Sequence, residues 1–532
     1  MRNDNRVTIP NSKFLIPNCF LVTVTIIFCV GVFLPLGSLF MRITPESFSQ
    51  VVNSPQFSAA VWNSVSTAFV ATIISMILGL AAALSLERTN LRGKNFFAVI
   101  FGAPMLIPSI SHSFGLVALF GANGWLTNIF RLDINIYGTI GIIAGSVMYA
   151  FPVAFFIFLS VLRCEDGSPY LAAEVLGVPK IRRFIDLTLP YLRRTIISTF
   201  FAIFSMIVTD YGVPLMIGGK TITLSVLMYN KAVSMMDYAS GSVLGVILIV
   251  PALIAFVADI LNPPPKQNVF AKNISLVEKN SSHVVKIFCV MLSLLIVAPL
   301  ITFCVMTFAT KYPVDMNFTL YHVTRTIHRG ALDNWLNSLI IAVVSAIIGT
   351  IFSFALAYFS TRVNGLAAKV VHLLSILPMT IPGIALGLGY VIFFHDAPIY
   401  GTLIILTAVN VMHFFSSPYL MMRNTLEKIS ANVEAVGKVL GVPRRFIIRD
   451  VILPKVRFTL CEMFAYFFVN AMMTISAVSY LAPPAPKPLA LMITQFEAQR
   501  LMESAAAVSI VILLTNLALK ILLTRLEKKF AR

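Results

Sequence analysis

The chain has 532 residues, of which 58% are hydrophobic and only 12% charged, with a mean hydropathy of +0.88 and a formal charge of +18. Soluble domains carry about 25% charged residues. The composition therefore excludes a soluble enzyme or a nucleic-acid-binding domain and points to a polytopic membrane protein.

Apolar runs long enough to cross a hydrocarbon core of about 30 Å as helices fall at 15–40, 62–86, 96–120, 138–162, 195–217, 241–261, 286–308, 337–360, 370–394, 400–422, 457–481 and 504–524. Twelve spans place both termini on one side. The first run is too long for a signal-peptide core and lacks a small-x-small cleavage site, so it reads as an uncleaved span whose preceding cations, Arg2, Arg6 and Lys13, keep the tail inside. With that orientation most of the 40 Lys and Arg residues lie in cytoplasmic segments, which is the positive-inside asymmetry. Lipid headgroups and a cytoplasmic partner then account for the charge. Cys19, Cys29, Cys164, Cys289, Cys304 and Cys461 fall mostly within spans and form no CxxC pair, so they read as small buried apolar side chains.

In chain order the spans repeat. Asn63-Ser64 opens the second span and Asn337-Ser338 the eighth, 274 residues later, and Arg88 and Arg362 end those spans at the same offset. Pro104-x-x-x-Pro108 and Gly115 return as Pro378-x-x-x-Pro382 and Gly389. Beyond a shorter loop the offset falls to about 264, where Tyr137-Gly138-Thr139 meets Tyr400-Gly401-Thr402. The expected architecture is all-α, with twelve transmembrane helices in two parallel six-helix repeats about an axis along the membrane normal. Residues 1–261 form the first half, with a long cytoplasmic loop at 163–194. A polar, proline-led linker occupies 262–285, and 286–532 form the second half, with its long loop at 423–457. Outer segments 41–61, 121–137, 218–240 and 309–336 are too polar to span and carry Trp125, Tyr229, Tyr238 and Tyr321; they read as interfacial turns or as a docking surface for an external protein.

A search for chemistry finds no energy source in the chain. Gly218-Gly219-Lys220-Thr221 resembles the end of a phosphate loop, but Pro214 stands where its leading glycine belongs and the segment is external by charge. Any ATP and Mg belong to a partner. His112, His283, His322, His328, His372, His395 and His413 are scattered without ligand spacing, so no metal site is expected. No nucleophile and base come together, so the chain is not expected to be an enzyme and needs no cofactor of its own.

Prolines and one acid mark the interior. Each proline pair removes helix-ladder donors that neighbouring helices or a wet cavity must replace, so both third spans belong inside the bundle, as kinks or as path lining. Asp210 lies within an apolar span, where a charge costs about 2.5–3.5 kcal/mol on insertion scales, and its counterpart at offset 264 is Thr474. Asp210, Tyr211, Thr474, Ser476, Pro108 and Pro382 are the candidates for the substrate path, with a structural polar network as the alternative.

The two long loops share a pattern. LAAEVLGVPKIRRFIDLTLP (171–190) returns as AVGKVLGVPRRFIIRDVILP (435–454), with the same separation from Gly177 to Pro190 as from Gly441 to Pro454. Glycine permits a sharp turn between two short helices, and the following proline fixes the start of the second. Binding of Arg182-Arg183 and Arg444-Arg445 to anionic lipid would not demand that spacing twice.

This pattern resembles the EAA loop of ATP-binding-cassette importer permeases: Glu-Ala-Ala, three residues, Gly, nine residues, Ile-x-Leu-Pro. Here Leu171-Ala172-Ala173, Gly177 and Leu187-Thr188-Leu189-Pro190 form one copy, and Ala435-Val436-Gly437, Gly441 and Val451-Ile452-Leu453-Pro454 the other. Both lack the leading glutamate, with Glu174 and Glu434 nearby but out of register. The resemblance covers both halves and implies a fused permease of the ferric-iron, thiamine and 2-aminoethylphosphonate group. It implies ATPase coupling through Ala172, Ala173, Glu174, Gly177, Leu189, Pro190, Glu434, Ala435, Gly441, Leu453 and Pro454. It also implies two copies of a cytoplasmic ABC ATPase, a periplasmic or lipid-anchored binding protein, and residence in a bacterial inner membrane with cytoplasmic termini. Residues 209–229 and 470–481 resemble the organophosphonate and ferric-iron members, with a lean towards a phosphorylated or phosphonate solute. A secondary transporter with two parallel six-span halves is the alternative, and a membrane scaffold a third reading.

Overall fold

A computed structural model describes residues 18–131, 135–262, 283–363, 365–430, 432–483 and 486–531. The expected linker at 262–285 lies largely outside them, as do the N-terminal cations. Apart from one hairpin pairing Ala309–Lys311 with Asp315–Phe318, the described segments with regular structure are helical.

Among the described residues, eight helices are long and apolar enough to cross a membrane: Phe20–Arg42, Pro55–Arg88, Thr139–Leu162, Lys180–Thr209, Tyr238–Ala258, His283–Phe308, Ala331–Arg362 and Met502–Lys529. Three further stretches are bent pairs, which bring the number to at most 11. The expected twelve is not reached among the described residues, and the difference lies at two kinds of place. The third segments, expected as spans 96–120 and 370–394, break at Pro108 and Pro382 into Lys94–Leu106 plus Ser109–Phe130, at 103°, and Leu366–Thr380 plus Gly383–Phe394, at 104°. In each, the first proline of the pair sits in a single 3-10 turn and the second caps the next helix, so each pair of missing donors ends one helix and starts another. The stretch read as 457–481 is helical only from Leu453 to Met473. Lys455, Arg457 and Glu462 make its first half too polar to pass as a span.

Small residues bring the helices together, as expected where lipid removes any hydrophobic gain from helix contact. A Cβ on Gly79 would lie 2.7 Å from that of Ala154, and one on Gly349 would lie 2.6 Å from the Phe467 ring. The two halves are also interlocked. Helix Phe20–Arg42 lies against the broken segment of the second half, where a Cβ on Gly389 would sit 2.6 Å from the Pro35 carbonyl and Tyr390 donates to Gly31 O at 2.7 Å. Reciprocally, His283–Phe308 lies against the broken segment of the first half, where a Cβ on Gly115 would sit 2.5 Å from Pro299 Cβ. The repeated glycine thus receives a proline from the opposite half in both places.

Candidate coupling loops and translocation path

In the first loop a short helix, Ser168–Val175, ends at Gly177, whose φ of +70° no L side chain adopts cheaply. Val178 N–H closes back on Ala173 O at 2.9 Å, the six-residue ring of a Schellman stop. The second loop repeats this: Asn432–Val439 ends at Gly441, φ +69°, and Val442 N–H reaches Gly437 O at 2.9 Å. Both stops point apolar side chains outward, with Val175 88% and Leu176 80% exposed in one loop and Val439 87% and Leu440 71% in the other.

The Leu-Pro ending also has a local cause. Pro190 and Pro454 stand at the second position of helices Leu189–Thr209 and Leu453–Met473, and without an N–H each breaks the ladder. A single π turn absorbs the break in each loop, at Phe184–Thr188 and Ile448–Ile452. The first loop's basic helix therefore runs on into the membrane as one 30-residue helix, Lys180–Thr209. This corrects the start expected at 195.

Among the candidate coupling residues, Ala172, Ala173, Glu174 and Gly177 lie together at the first tip, and Glu174 is tied to Arg183 at 3.2 Å. Ala435 and Gly441 mark the second tip, where a Cβ on Gly437 would overlap Ile447. Leu189-Pro190 and Leu453-Pro454 are the roots of the following helices. Glu434 faces inward, accepting from Tyr358 Oη at 2.7 Å and lying 3.3 Å from Arg362 Nε. Glu165 is a site residue that the spacing did not disclose. It is 8% exposed and takes Arg88 Nη2 at 2.5 Å and the Tyr170 hydroxyl. Burial holds its carboxyl above the ordinary value, against the hydrogen bond from Tyr170 and the Arg88 charge.

The path candidates converge on the meeting of the halves. Helix Leu189–Thr209 stops before Asp210, whose carboxylate accepts from Ser109 Oγ at 2.7 Å and from Val213 N–H at 2.9 Å. It thus caps helix Gly212–Ile217 and ties it to the residue after Pro108. Tyr211 is buried, stacks on Tyr229 with ring centres 5.2 Å apart, and reaches Ser479 Oγ of the other half at 2.5 Å. Tyr229 in turn meets Tyr480 at 6.1 Å. Thr474 ends helix Leu453–Met473 and bonds back to Asn470 O at 2.6 Å, so it replaces the capping acid with a local hydroxyl contact. A Cβ on Gly383, next to Pro382, would lie 2.7 Å from Ser476 Oγ and 2.9 Å from His413 Nε2, so Ser476 and His413 share one site. His413 was not singled out from sequence, because its counterpart at offset 264 is Tyr149. Among the described residues no group of three or more His, Cys, Asp or Glu is placed to hold a metal ion.

Two interlocked helical halves, each with a broken internal segment and a glycine-stopped loop, define a fused two-half membrane transport component. The comparisons agree. The family model of the binding-protein-dependent transport system inner membrane component matches twice, at residues 75–263 and 349–532, and the chain belongs to that family. It is 25% identical over 82% of its length to the ferric transport system permease protein FbpB of Actinobacillus pleuropneumoniae, covering 66% of that protein. It is 23% identical over 88% of its length to the putative ferric transport system permease protein FbpB 1 of Haemophilus influenzae, covering 78%. The putative 2-aminoethylphosphonate transport system permease protein PhnU of Salmonella typhi is 25% identical over 39% of this chain and 75% of its own. Among solved structures, a chain of the bacterial alginate ABC transporter in complex with alginate pentasaccharide-bound periplasmic protein is 16% identical, with a TM-score of 0.41, covering 46% of this chain and 93% of its own.

Proposed function

We propose that this chain is the permease of an ATP-driven, binding-protein-dependent importer, and that its solute is ferric iron. The observation that carries the coupling part is the pair of Schellman stops, each presenting two exposed aliphatic side chains on a loop that runs directly into a 21-residue helix. Two such tips fit grooves on two copies of a cytoplasmic ABC ATPase, which would hold ATP and Mg. Closure of the ATPases would draw the two tips together. The movement would pass through the rooted helices Leu189–Thr209 and Leu453–Met473 to Asp210, Tyr211 and Thr474 at their far ends, opening and closing the outer contact between Tyr211 and Ser479. A periplasmic or lipid-anchored binding protein would deliver the solute there. The chain lies in a bacterial inner membrane with both termini cytoplasmic, and has no nucleotide site of its own.

Ferric iron is supported first by relatives that match both halves in one chain, over 82% and 88% of this one; the phosphonate relative, matched over 75% of its own shorter length at the same 25% identity as the first of these, does not argue against it. The path candidates offer carboxylate, phenol and hydroxyl oxygens, donors suited to a hard cation. An oxyanion asks instead for arginine or lysine, and none of Asp210, Tyr211, Thr474 and Ser476 is cationic.

The test is reconstitution of the full complex in proteoliposomes with ATP inside. Uptake of labelled ferric iron that requires the ATPase, with 2-aminoethylphosphonate inert, is the expected result. Phosphonate uptake would overturn the choice of solute, and uptake without ATP would make the chain a secondary transporter.

A further inference from the structure

We propose that each coupling loop is clamped to the second span of its own half by an arginine–glutamate–tyrosine latch. The proposal rests on the permease reading above.

The first latch begins at Arg88, the last residue of helix Pro55–Arg88. Its guanidinium pairs with Glu165 and lies 4.3 Å over the Tyr170 ring. Tyr170 donates to the same carboxylate, and its hydroxyl oxygen is 2.8 Å from Thr188 Oγ1, within the Leu-x-Leu-Pro ending. One chain of contacts therefore joins the span end, the start of the loop, its tip helix and the root of the following helix. Exposure of the Glu165 and Arg88 side chains is only 4% and 20%, so the pair is screened from salt far less than a surface pair.

The second latch begins at Arg362, the last residue of helix Ala331–Arg362 and the repeat of Arg88. Its guanidinium lies 3.3 Å from Glu434 and donates to Leu426 O and Ile429 O at 3.3 and 3.0 Å. Tyr358 donates to Glu434, and Arg444, from the basic run after Gly441, donates to the Tyr358 hydroxyl at 2.8 Å and stacks 4.8 Å from its ring. Span end, tip helix and second loop helix are again joined.

The two latches use the same three side-chain types, the arginine from the repeated position and the other two from different ones. Tyr170 and Glu434 occupy equivalent positions at offset 264, so the position facing the arginine is a phenol in one half and a carboxylate in the other. The missing partner is supplied elsewhere, by Glu165 in the first half and Tyr358 in the second. A chemistry kept while its residues move is the mark of a required contact rather than an inherited one.

The test uses the full chain in nanodiscs, first without any ATPase. A spin label at Val175→Cys reports the first tip, and one at Val439→Cys the second. Arg88→Gln should raise the mobility of the first label and leave the second unchanged, and Arg362→Gln should do the reverse. The charge exchange Arg88→Glu with Glu165→Arg should restore the first label. Labels indifferent to both variants would overturn the latches, whatever the protein transports. In the reconstituted complex, the same variants without labels should keep the ATPase bound while solute moved per ATP falls about tenfold. An unchanged ratio would overturn their part in transmission. If Arg88→Gln fails to insert, Arg88→Lys, which keeps the charge and loses the flat stack on Tyr170, should still loosen the first label, and an immobile label there would also refute the latch. Failure of the wild-type chain to bind an ATPase would count against the permease reading and leave the label experiment standing.

Discussion

The reciprocal seating of Pro35 and Pro299 on Gly389 and Gly115 can be tested by adding one methyl group. In Gly389→Ala the new Cβ would sit 2.6 Å from a backbone carbonyl, and in Gly115→Ala 2.5 Å from the Cβ of a rigid proline ring. Ordinary contact begins about 1 Å further out, and neither neighbour is the free end of a flexible side chain, so a helix must shift. Overpacking of this kind costs about 1–3 kcal/mol, while replacing a helical glycine by alanine returns about 0.8–1.0 kcal/mol. Gly37, on the same opening helix, has nothing within 4 Å of its added Cβ, so Gly37→Ala collects the gain without the clash. The expected order of thermal stability in detergent is Gly37→Ala at or above wild type, with Gly389→Ala and Gly115→Ala below Gly37→Ala by about 1–3 kcal/mol, or a few degrees in Tm. If Gly389→Ala and Gly115→Ala melt together with Gly37→Ala, the close seating of each half's opening helix on the other half is wrong.

Three further outcomes are expected. Val175→Glu with Leu176→Glu, or the same changes at Val439 and Leu440, should weaken ATPase co-purification at least about tenfold, since burying each aliphatic side chain contributes about 1.5–3 kcal/mol; retained binding in both would remove these tips as the docking points. Tyr211→Phe deletes the bond to Ser479 across the halves, worth about 0.5–1.5 kcal/mol, and should raise basal ATP turnover of the complex about 2- to 10-fold; unchanged turnover there and in Ser479→Ala would mean that the contact does not hold the outer end closed. Because burial raises the Glu165 carboxyl above the ordinary carboxylate range, the folded chain binds that proton more tightly than the unfolded one. The associated stability is full below the ordinary value and is lost as pH rises through the raised one. Thermal melts across about pH 4 to 7 should therefore show Glu165→Gln gaining on wild type as pH rises, and parallel curves would refute the burial of that charge.

Much of the frame was legible because membrane insertion and repetition both write themselves into local sequence. The proline pairs marked breaks, and the glycine followed by Val-Pro marked the tips, since each acts on its own few residues. What Asn63-Ser64 and Asn337-Ser338 do was not legible. Ser64 Oγ accepts from Leu224 N–H at 2.8 Å and Ser338 Oγ from Leu489 N–H at 2.7 Å, across 160 and 151 residues. The repeat told that these serines matter; only the fold shows that they receive backbone donors from the outer segment after the break. The same limit applies to the spans. Hydropathy placed a crossing at 457–481, but the helix that begins at Leu453 takes its first turns from the coupling loop, so charge and membrane depth are out of step with the apolar run.

The candidate site was half visible for a related reason. Searching at fixed offsets finds a function kept in the same residue, and it found Arg88 with Arg362 and Gly177 with Gly441. It cannot find a function kept in a different one, so it passed over Glu165 and named Glu434 as a coupling residue without its turn back to Arg362. The two observations belong together. An arginine retained at the end of a span in both halves needs a counter-charge at that depth, and the long cytoplasmic loop of each half supplies one. Pairing the repeated arginines with loop acids, rather than with an acid at the same offset, would have narrowed the partners to Glu165, Asp166, Glu174 and Asp186 in the first loop and Glu427, Glu434 and Asp450 in the second.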